Sequence, residues 1–291
     1  MRYKAIFFDW DGTAVESRKA PAADAAVHMK VLLGKGIKLI IISGTTYDNI
    51  AGGRLHEYFT EKELDNLYLG LGRGALNYSF TNGQPVLHQE FLPGKEERLA
   101  VHKIAFEIHQ ALLKEYDLDT DVVFSRPNYC KLDLMAAHDR GEKLFLQSGE
   151  IDMVQKMLRE HGLINGLNDV VRLAEQTGKR LGLAVKPTTD AKYLEVGTTT
   201  KSDNADYFVE HLLKPGGIAP TEACYWGDEF TYLAEGIRGS DAYMITEKTR
   251  EGDFYDVSEN PWRLPKEVKA MGGGTKRFLN FLKEQGEKVE V

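Results

Sequence analysis

The stretch Ala5-Ile6-Phe7-Phe8-Asp9-Trp10-Asp11-Gly12-Thr13 decides how the chain is read. A short apolar run of this kind is a buried strand, and two carboxylates one residue apart stand where it ends. Alternation along an extended chain puts Asp9 and Asp11 on the same side. Two acids held that close repel unless a cation lies between them, and hard oxygen ligands suit a divalent ion, Mg2+ first. Gly12 then lets the backbone turn sharply. Taken alone, an Asp-x-Asp pair reads equally well as a strand end with two solvated acids, so the rest of the chain has to decide.

Composition narrows the choice. The 291 residues suffice for two domains or one large one, with the make-up of an ordinary soluble globular protein. A net charge of -7 without a Lys/Arg cluster argues against a nucleic-acid partner and means that an anionic substrate needs positive charge supplied locally. Cys130 and Cys224 lie in separate segments with no CxxC or Cys/His spacing, so neither a disulfide framework nor a zinc site is expected. That fits a reducing cytoplasm. Asp9 breaks the first apolar run before it could serve as a signal segment, and no later run nears the roughly 20 apolar residues of a membrane span. The expectation is a soluble cytoplasmic protein; oligomeric state is not legible.

Along the chain, Pro21 opens a helix through Leu33 that Gly34 and Gly36 close, and Ile37–Ile42 forms a second apolar run. Strand, helix, strand in this order implies a parallel pair in a doubly wound sheet, with ligands gathering outside the carboxyl ends of the strands. Ser43 then falls beside Asp9, although a turn or cap role suits a serine equally well. A third strand, Leu67–Leu71, leads into Gly72-Arg73-Gly74-Ala75, which lacks a GxGxxG fingerprint and reads as a turn. A hairpin follows, turning at Asn82-Gly83.

From Lys95 the pattern changes: a helix to Tyr116, strands at Val122–Phe124 and Lys131–Met135, a helix at Ile151–His161, and strands at Val170–Ala174 and Leu181–Val185. This segment, about 91–189, reads as an inserted α+β cap in an α/β core made of 1–90 and 190–291. The core is expected to resume with a strand at Tyr193–Val196 and a helix from Lys201 to Leu213. A lysine at a helix start opposes the macrodipole and asks for another reason. Glu222–Trp226 reads as a strand ending in Gly227-Asp228, Ala242–Ile245 as another strand, the stretch around Pro261 and Pro265 as irregular, and a last helix follows Gly274.

Polar groups at successive strand ends, in the segments Phe8-Asp9-Trp10-Asp11-Gly12-Thr13, Ile42-Ser43-Gly44, Lys201 and Gly227-Asp228, resemble the four motifs of the haloacid dehalogenase (HAD) superfamily. The resemblance implies a Rossmann-like doubly wound parallel core and a phosphatase. It makes Asp9 the nucleophile that forms an aspartyl phosphate, and Asp11 the acid that protonates the leaving oxygen and then activates water. Ser43 would hydrogen-bond a phosphoryl oxygen, with Gly44 among the substrate-binding residues, and Lys201 would offset charge. Asp9, Asp228 and the backbone carbonyl of Asp11 would hold Mg2+. One motif departs from the pattern: relatives often read Gly-Asp-x-x-Asn-Asp, whereas Thr231 and Tyr232 stand in the last two places here. That puts the metal's surroundings in doubt, with Glu229 or Glu235 as possible substitutes.

A cap between the Ser43 and Lys201 motifs resembles the C2-capped branch, which includes sucrose-phosphate and trehalose-phosphate phosphatases and phosphomannomutase. The resemblance implies a small phosphorylated substrate, a sugar phosphate first, and a cap that closes over it. In the cap, Arg126, Asn128, Lys131 and Lys186 are candidates to bind it, Arg126 because its fork is bidentate; a solvated loop or strand residue is the plainer reading of each. His102 and His109 read as packing or surface residues. A phosphomutase and a non-catalytic phospho-ligand-binding module stand as alternatives.

Overall fold

A computed structural model describes residues 3–138, 149–259 and 263–288, so the expectation at Pro261 lies outside the described residues. They divide into two compact units, one drawn from Met1–Phe91, Lys201–Phe230 and Asp241–Val291, the other from Leu92–Thr200 and Thr231–Ser240. The first unit begins with β1 (Ala5–Phe8), α1 (Ala23–Gly34), β2 (Lys38–Ile42), α2 (Glu61–Leu64), β3 (Leu67–Leu71), β4 (Leu76–Thr81) and β5 (Gln84–Glu90). The second holds α3 (Lys95–Tyr116), β6 (Asp121–Val123), β7 (Tyr129–Asp133), α4 (Glu150–Glu160), α5 (Leu167–Arg180), β8 (Thr188–Thr189) and β9 (Tyr193–Gly197). The chain returns to the first through α6 (Lys201–Phe208) and β10 (Ala223–Gly227), and contributes a hairpin, β11 (Tyr232–Ala234) and β12 (Ile237–Arg238), to the second. It ends in the first with β13 (Asp253–Asp256), β14 (Val268–Ala270) and α7 (Gly274–Lys288).

The first unit is a doubly wound α/β sheet in the order β14-β13-β10-β1-β2-β3-β4-β5, parallel except for the β4–β5 hairpin at one edge. Every residue of β1 and β10 is buried, as expected for central parallel strands covered on both faces. On one face Phe7, Tyr225 and Phe254 stack across three neighbouring strands, with ring centroids 4.6 and 4.7 Å apart, and pack with Phe208 and Val209 after the α6 start. On the other, Phe8 and Trp226 meet Phe278 of α7. Each such buried ring contributes about 1.5–3 kcal/mol, which fixes the register of β1 against β10. Connections run to opposite sides from β1, so the gap between β1 and β10 is the topological switch point, where doubly wound folds place ligands.

The second unit carries a four-stranded antiparallel sheet, β6-β7-β9-β8. Cys130, Leu132, Leu194 and Val196 on one side of it pack with Ile104 and Ile108 of α3, Leu158 of α4 and Val170 of α5. The β11–β12 hairpin joins this core through Leu233, and Gln155 pins it by donating to the Leu233 carbonyl (3.4 Å) while accepting from Leu167 N–H (3.2 Å). Four sequence expectations are corrected. Residues Val170–Ala174 lie in α5, because Leu167, Val170, Ala174 and Thr177 follow helical and not strand spacing, and Leu181–Val185 form no strand. Tyr193–Val196 is a strand but pairs with β7 and β8 in the second unit. Ala242–Met244 lie in a short 3-10 turn, Ser240–Met244, and Ile245 is in no strand, while β13 and the edge strand β14 are too short and too polar to stand out.

The other side of this sheet is polar. Lys131 pairs with Glu195 at 2.8 Å, Thr188 donates to the other Glu195 oxygen (3.1 Å), and Lys131 lies over the Tyr193 ring. Nearby Asp190 accepts from Tyr193 N–H at 2.7 Å, and burial pushes its carboxyl up to about 6, Lys131 opposing and Glu195 adding. The folded form therefore holds this proton more tightly than the unfolded chain. The associated stability is fully present below the ordinary carboxylate range of about 4 and is lost as pH rises through about 6. Asp190→Asn keeps the acceptor oxygen and removes the charge, so it is expected to raise the unfolding free energy in urea by about 1–2 kcal/mol at pH 8, a value discounted because Asp190 is partly exposed. The gain should vanish near pH 4; an unchanged or lowered urea midpoint at pH 8 would contradict this account.

Candidate active site

The carboxyl ends of β1, β2 and β10 deliver Asp9, Ser43 and Asp228, and α6 begins on Lys201. Asp9 is 7% exposed and Lys201 5%. Lys201 Nζ donates to Asp9 Oδ1 at 2.8 Å and to Asp241 Oδ1 at 2.7 Å, which supplies the reason for a lysine at a helix start. Burial works against its ammonium, but the Asp241 and Asp9 carboxylates together outweigh that and hold it charged, above the ordinary lysine value. Burial likewise pushes Asp9 up to about 7, with Lys201 opposing and Asp241 and Asp11 adding. Asp228 is driven well above the carboxylate range by burial and by the charges of Glu229, Asp241 and Asp9, while Thr13 Oγ1 donates to it at 3.0 Å.

Asp9, Asp228 and Asp241 each offer an oxygen within 4.8 Å of the others. Three acids against one lysine leave an excess of negative charge that burial makes costly, and a divalent oxygen-liganded cation fits that imbalance. Two glycines permit the approach. A Cβ at Gly12, whose φ is +88°, would lie 2.2 Å from Asp228 Oδ2, and one at Gly227 would lie 2.3 Å from Asp241 Oδ2. Asp256, at the end of β13, braces the same loop by accepting from Phe230 N–H at 3.2 Å.

Asp241 was missed in the sequence, and its place corrects the reading of the fourth motif. The chain leaves the first unit after Phe230, forms the β11–β12 hairpin, and returns at Asp241. Across the neck of this excursion Asp241 N–H donates to the Glu229 carbonyl (3.1 Å) and Glu229 N–H to Asp241 Oδ2 (2.8 Å). The second acid is thus present, displaced by the hairpin, and Tyr232 lies on β11 in the other unit. The available signal was Gly239-Ser240-Asp241, a polar-acid pair after glycine that repeats the expected motif ending further along.

Asp11 is not among the clustered carboxylates. Its Oδ2 accepts from Arg18 Nη2 (3.2 Å) and Nε (3.3 Å), and its Oδ1 is buried without a hydrogen-bond partner among the described residues. Ser43 is buried; its N–H donates to the Gly70 carbonyl (2.9 Å) and its Oγ accepts from Thr45 N–H (3.4 Å), which leaves its own proton available to donate. Beside Gly44 there is open space. Arg126, Asn128, Lys131 and Lys186 belong to the second unit. Arg126 is half-buried, with Nε unpartnered among the described residues; Asn128 donates to Thr199 Oγ1 at 3.4 Å; and the Lys131 charge is engaged by Glu195. Lys186 is exposed, and its N–H donates to the Gly197 carbonyl. His109 bonds Thr120 Oγ1 (2.7 Å) and His102 lies against Phe124.

No protein-family model matches the sequence, and no curated protein does. Solved structures do match. The chain is similar to the N-terminally truncated, IMP-bound IMP-nucleotidase of Plasmodium falciparum, at 12% identity and a TM-score of 0.60, over 97% of this chain and 67% of that one. The ATP-bound form of that nucleotidase gives 13% identity and a TM-score of 0.58, over 98% and 60%. The chain therefore spans about two thirds or less of the nucleotidase. It is also similar to the sucrose-phosphatase of Synechocystis sp., solved with sucrose and phosphate, at 14% identity and a TM-score of 0.50, over 99% of both chains. These neighbours are HAD-superfamily phosphatases, and the fold is theirs: a Rossmann-like core with an α+β unit inserted. No helix among the described residues is long and apolar enough to cross a membrane.

Proposed function

We propose that the protein is a Mg2+-dependent phosphatase that hydrolyses a small phosphorylated metabolite through a phosphate ester of Asp9. The observation that carries this reading is the cluster of Asp9, Asp228 and Asp241, with Lys201 bonded to Asp9 and Asp241, at the switch point of the sheet. Asp9, Asp228 and the Asp11 carbonyl would hold the ion, with Asp241 beside them, and Mg2+ when bound supplies charge neutralisation for the phosphoryl oxygens and the acids.

The chain's own groups do the rest. An Asp9 oxygen attacks phosphorus, and the bond from phosphorus to the leaving oxygen breaks as the Asp11 carboxyl donates its proton to that oxygen. Asp11, now a carboxylate, takes a proton from water; the water oxygen attacks phosphorus, the Asp9–phosphorus bond breaks, and inorganic phosphate leaves with Asp9 restored. The unpartnered Asp11 Oδ1 suits this exchange, and Arg18 on the other oxygen orients the group. Ser43 Oγ donates to a phosphoryl oxygen, and Lys201 balances charge as it passes from the ester to Asp9. The unit built on Leu92–Thr200 is the cap, with Arg126, Asn128, Lys131 and Lys186 as its candidate substrate contacts.

The neighbours' ligands, IMP and sucrose with phosphate, set the first panel: nucleoside monophosphates and sugar phosphates. Phosphate release from at least one class is expected in Mg2+ and should disappear with chelator. No release from any member, or release indifferent to chelator, would sink the proposal.

A further inference from the structure

The chain passes between the two units after Phe91, Thr200, Phe230 and Ser240. Three of these four crossings fall at the site: Lys201 and Asp241 each follow one directly, and Asp228 stands two residues before Phe230. The last two crossings enclose the β11–β12 hairpin, so the stretch from Asp228 to Asp241 runs out through the second unit and back. Asp241 cannot rely on attraction alone for its place, because Lys201 draws it in while Asp9 and Asp228 repel it.

A short ribbon supplies the rest. At its base Asp241 N–H donates to the Glu229 carbonyl (3.1 Å) and Glu229 N–H to Asp241 Oδ2 (2.8 Å). Gly239 N–H then donates to the Thr231 carbonyl at 2.8 Å, and beyond it Tyr232 pairs with Arg238 and Ala234 with Ile237. Strands of three and two residues make a hairpin that is marginally stable at best in water. Here the hairpin is seated: Leu233 is 2% exposed within the core of the second unit, Ile237 packs against that core, and Gln155 of α4 donates to the Leu233 carbonyl at 3.4 Å. The apolar burial that stabilises the ribbon thus lies in the second unit, while the carboxylate that the ribbon fixes lies in the first.

We infer that Leu233 and Gln155 are positioning residues for the metal site: by seating the hairpin in the core of the second unit they hold Asp241 beside Asp9 and Asp228, and so set the affinity for a divalent cation. The inference rests on the reading of these acids as a Mg2+ site. Its test is calorimetric titration of Mg2+ into the metal-free protein, without ester, for the native chain, Leu233→Ala, Leu233→Met and Ile108→Ala, with thermal midpoints for each. Leu233→Ala unseats the hairpin and should weaken Mg2+ binding about tenfold, raising the Mg2+ concentration for half-maximal phosphate release by the same factor. Leu233→Met keeps the volume and should bind Mg2+ as the native chain does. Ile108→Ala cuts the same core on α3 instead of on the hairpin, so its midpoint should fall while its Mg2+ affinity stays within about twofold of native. If Leu233→Ala does not fold, Gln155→Ala decides, since it releases the Leu233 carbonyl and leaves Leu233 in place; a loss of about threefold or more is expected. Native Mg2+ affinity in the deciding variant, or an equal loss in Ile108→Ala, overturns the inference and leaves the phosphatase reading in place, whereas a native chain that binds no Mg2+ overturns both. A native chain that binds Mg2+ in a Leu233-dependent way yet hydrolyses no ester removes the phosphatase reading and leaves the inference standing.

Discussion

Asp241→Ala is expected to reduce phosphate release by at least about 100-fold and to raise the Mg2+ concentration needed for half-maximal activity, because one carboxylate does two jobs. Its Oδ1 holds Lys201, and its Oδ2 accepts from Glu229 N–H and so fixes the backbone beside Asp228. Truncation leaves a buried ammonium with Asp9 alone and a buried N–H without its acceptor. Breaking a buried pair in this way commonly costs about 3–5 kcal/mol, and the surviving Asp9 contact puts the expected loss at the lower end of that range. Asp241→Asn separates the two jobs. Its amide oxygen can still accept from Glu229, so the fold should be largely kept, while the lost charge should cost about 10- to 100-fold in activity and in Mg2+ requirement. Melting curves and Mg2+ titrations of the two variants check this. Near-native activity in Asp241→Ala would show that the second acid is idle.

Much of this site was legible because its chemistry is local in sequence. Ala5–Phe8 is apolar throughout and stops at Asp9, and Ile37–Ile42 stops at Ser43, so a strand's end and its functional residue are written side by side. Lys201 was legible for a different reason, since it opposes the helix dipole and needed partners, which Asp9 and Asp241 provide. Asp241 itself was not legible. The β11–β12 hairpin is spliced between it and Asp228, and what the hairpin packs on, through Leu233 and Gln155, is a core assembled from residues far away in the chain. In the second unit, Val170–Ala174 was read as a strand from its apolar residues, although the spacing of Leu167, Val170, Ala174 and Thr177 is helical.

The central claim is that Asp9 carries the phosphoryl group. Asn has the same shape but lacks the negative charge and the nucleophilic oxygen, and it can still accept from Lys201, so Asp9→Asn should fold as the native chain does. It should also relieve part of the crowding among Asp9, Asp228 and Asp241, so its thermal midpoint should be no lower than native. Removing a nucleophile commonly costs on the order of 10^4-fold or more in turnover. The most direct measurement is the rate of phosphate release from the best ester in saturating Mg2+, native chain against Asp9→Asn. The account predicts that the variant folds and releases phosphate at least about 10^4-fold more slowly. A folded Asp9→Asn protein that keeps activity within about tenfold of native would contradict it, because some other group would then be doing the chemistry.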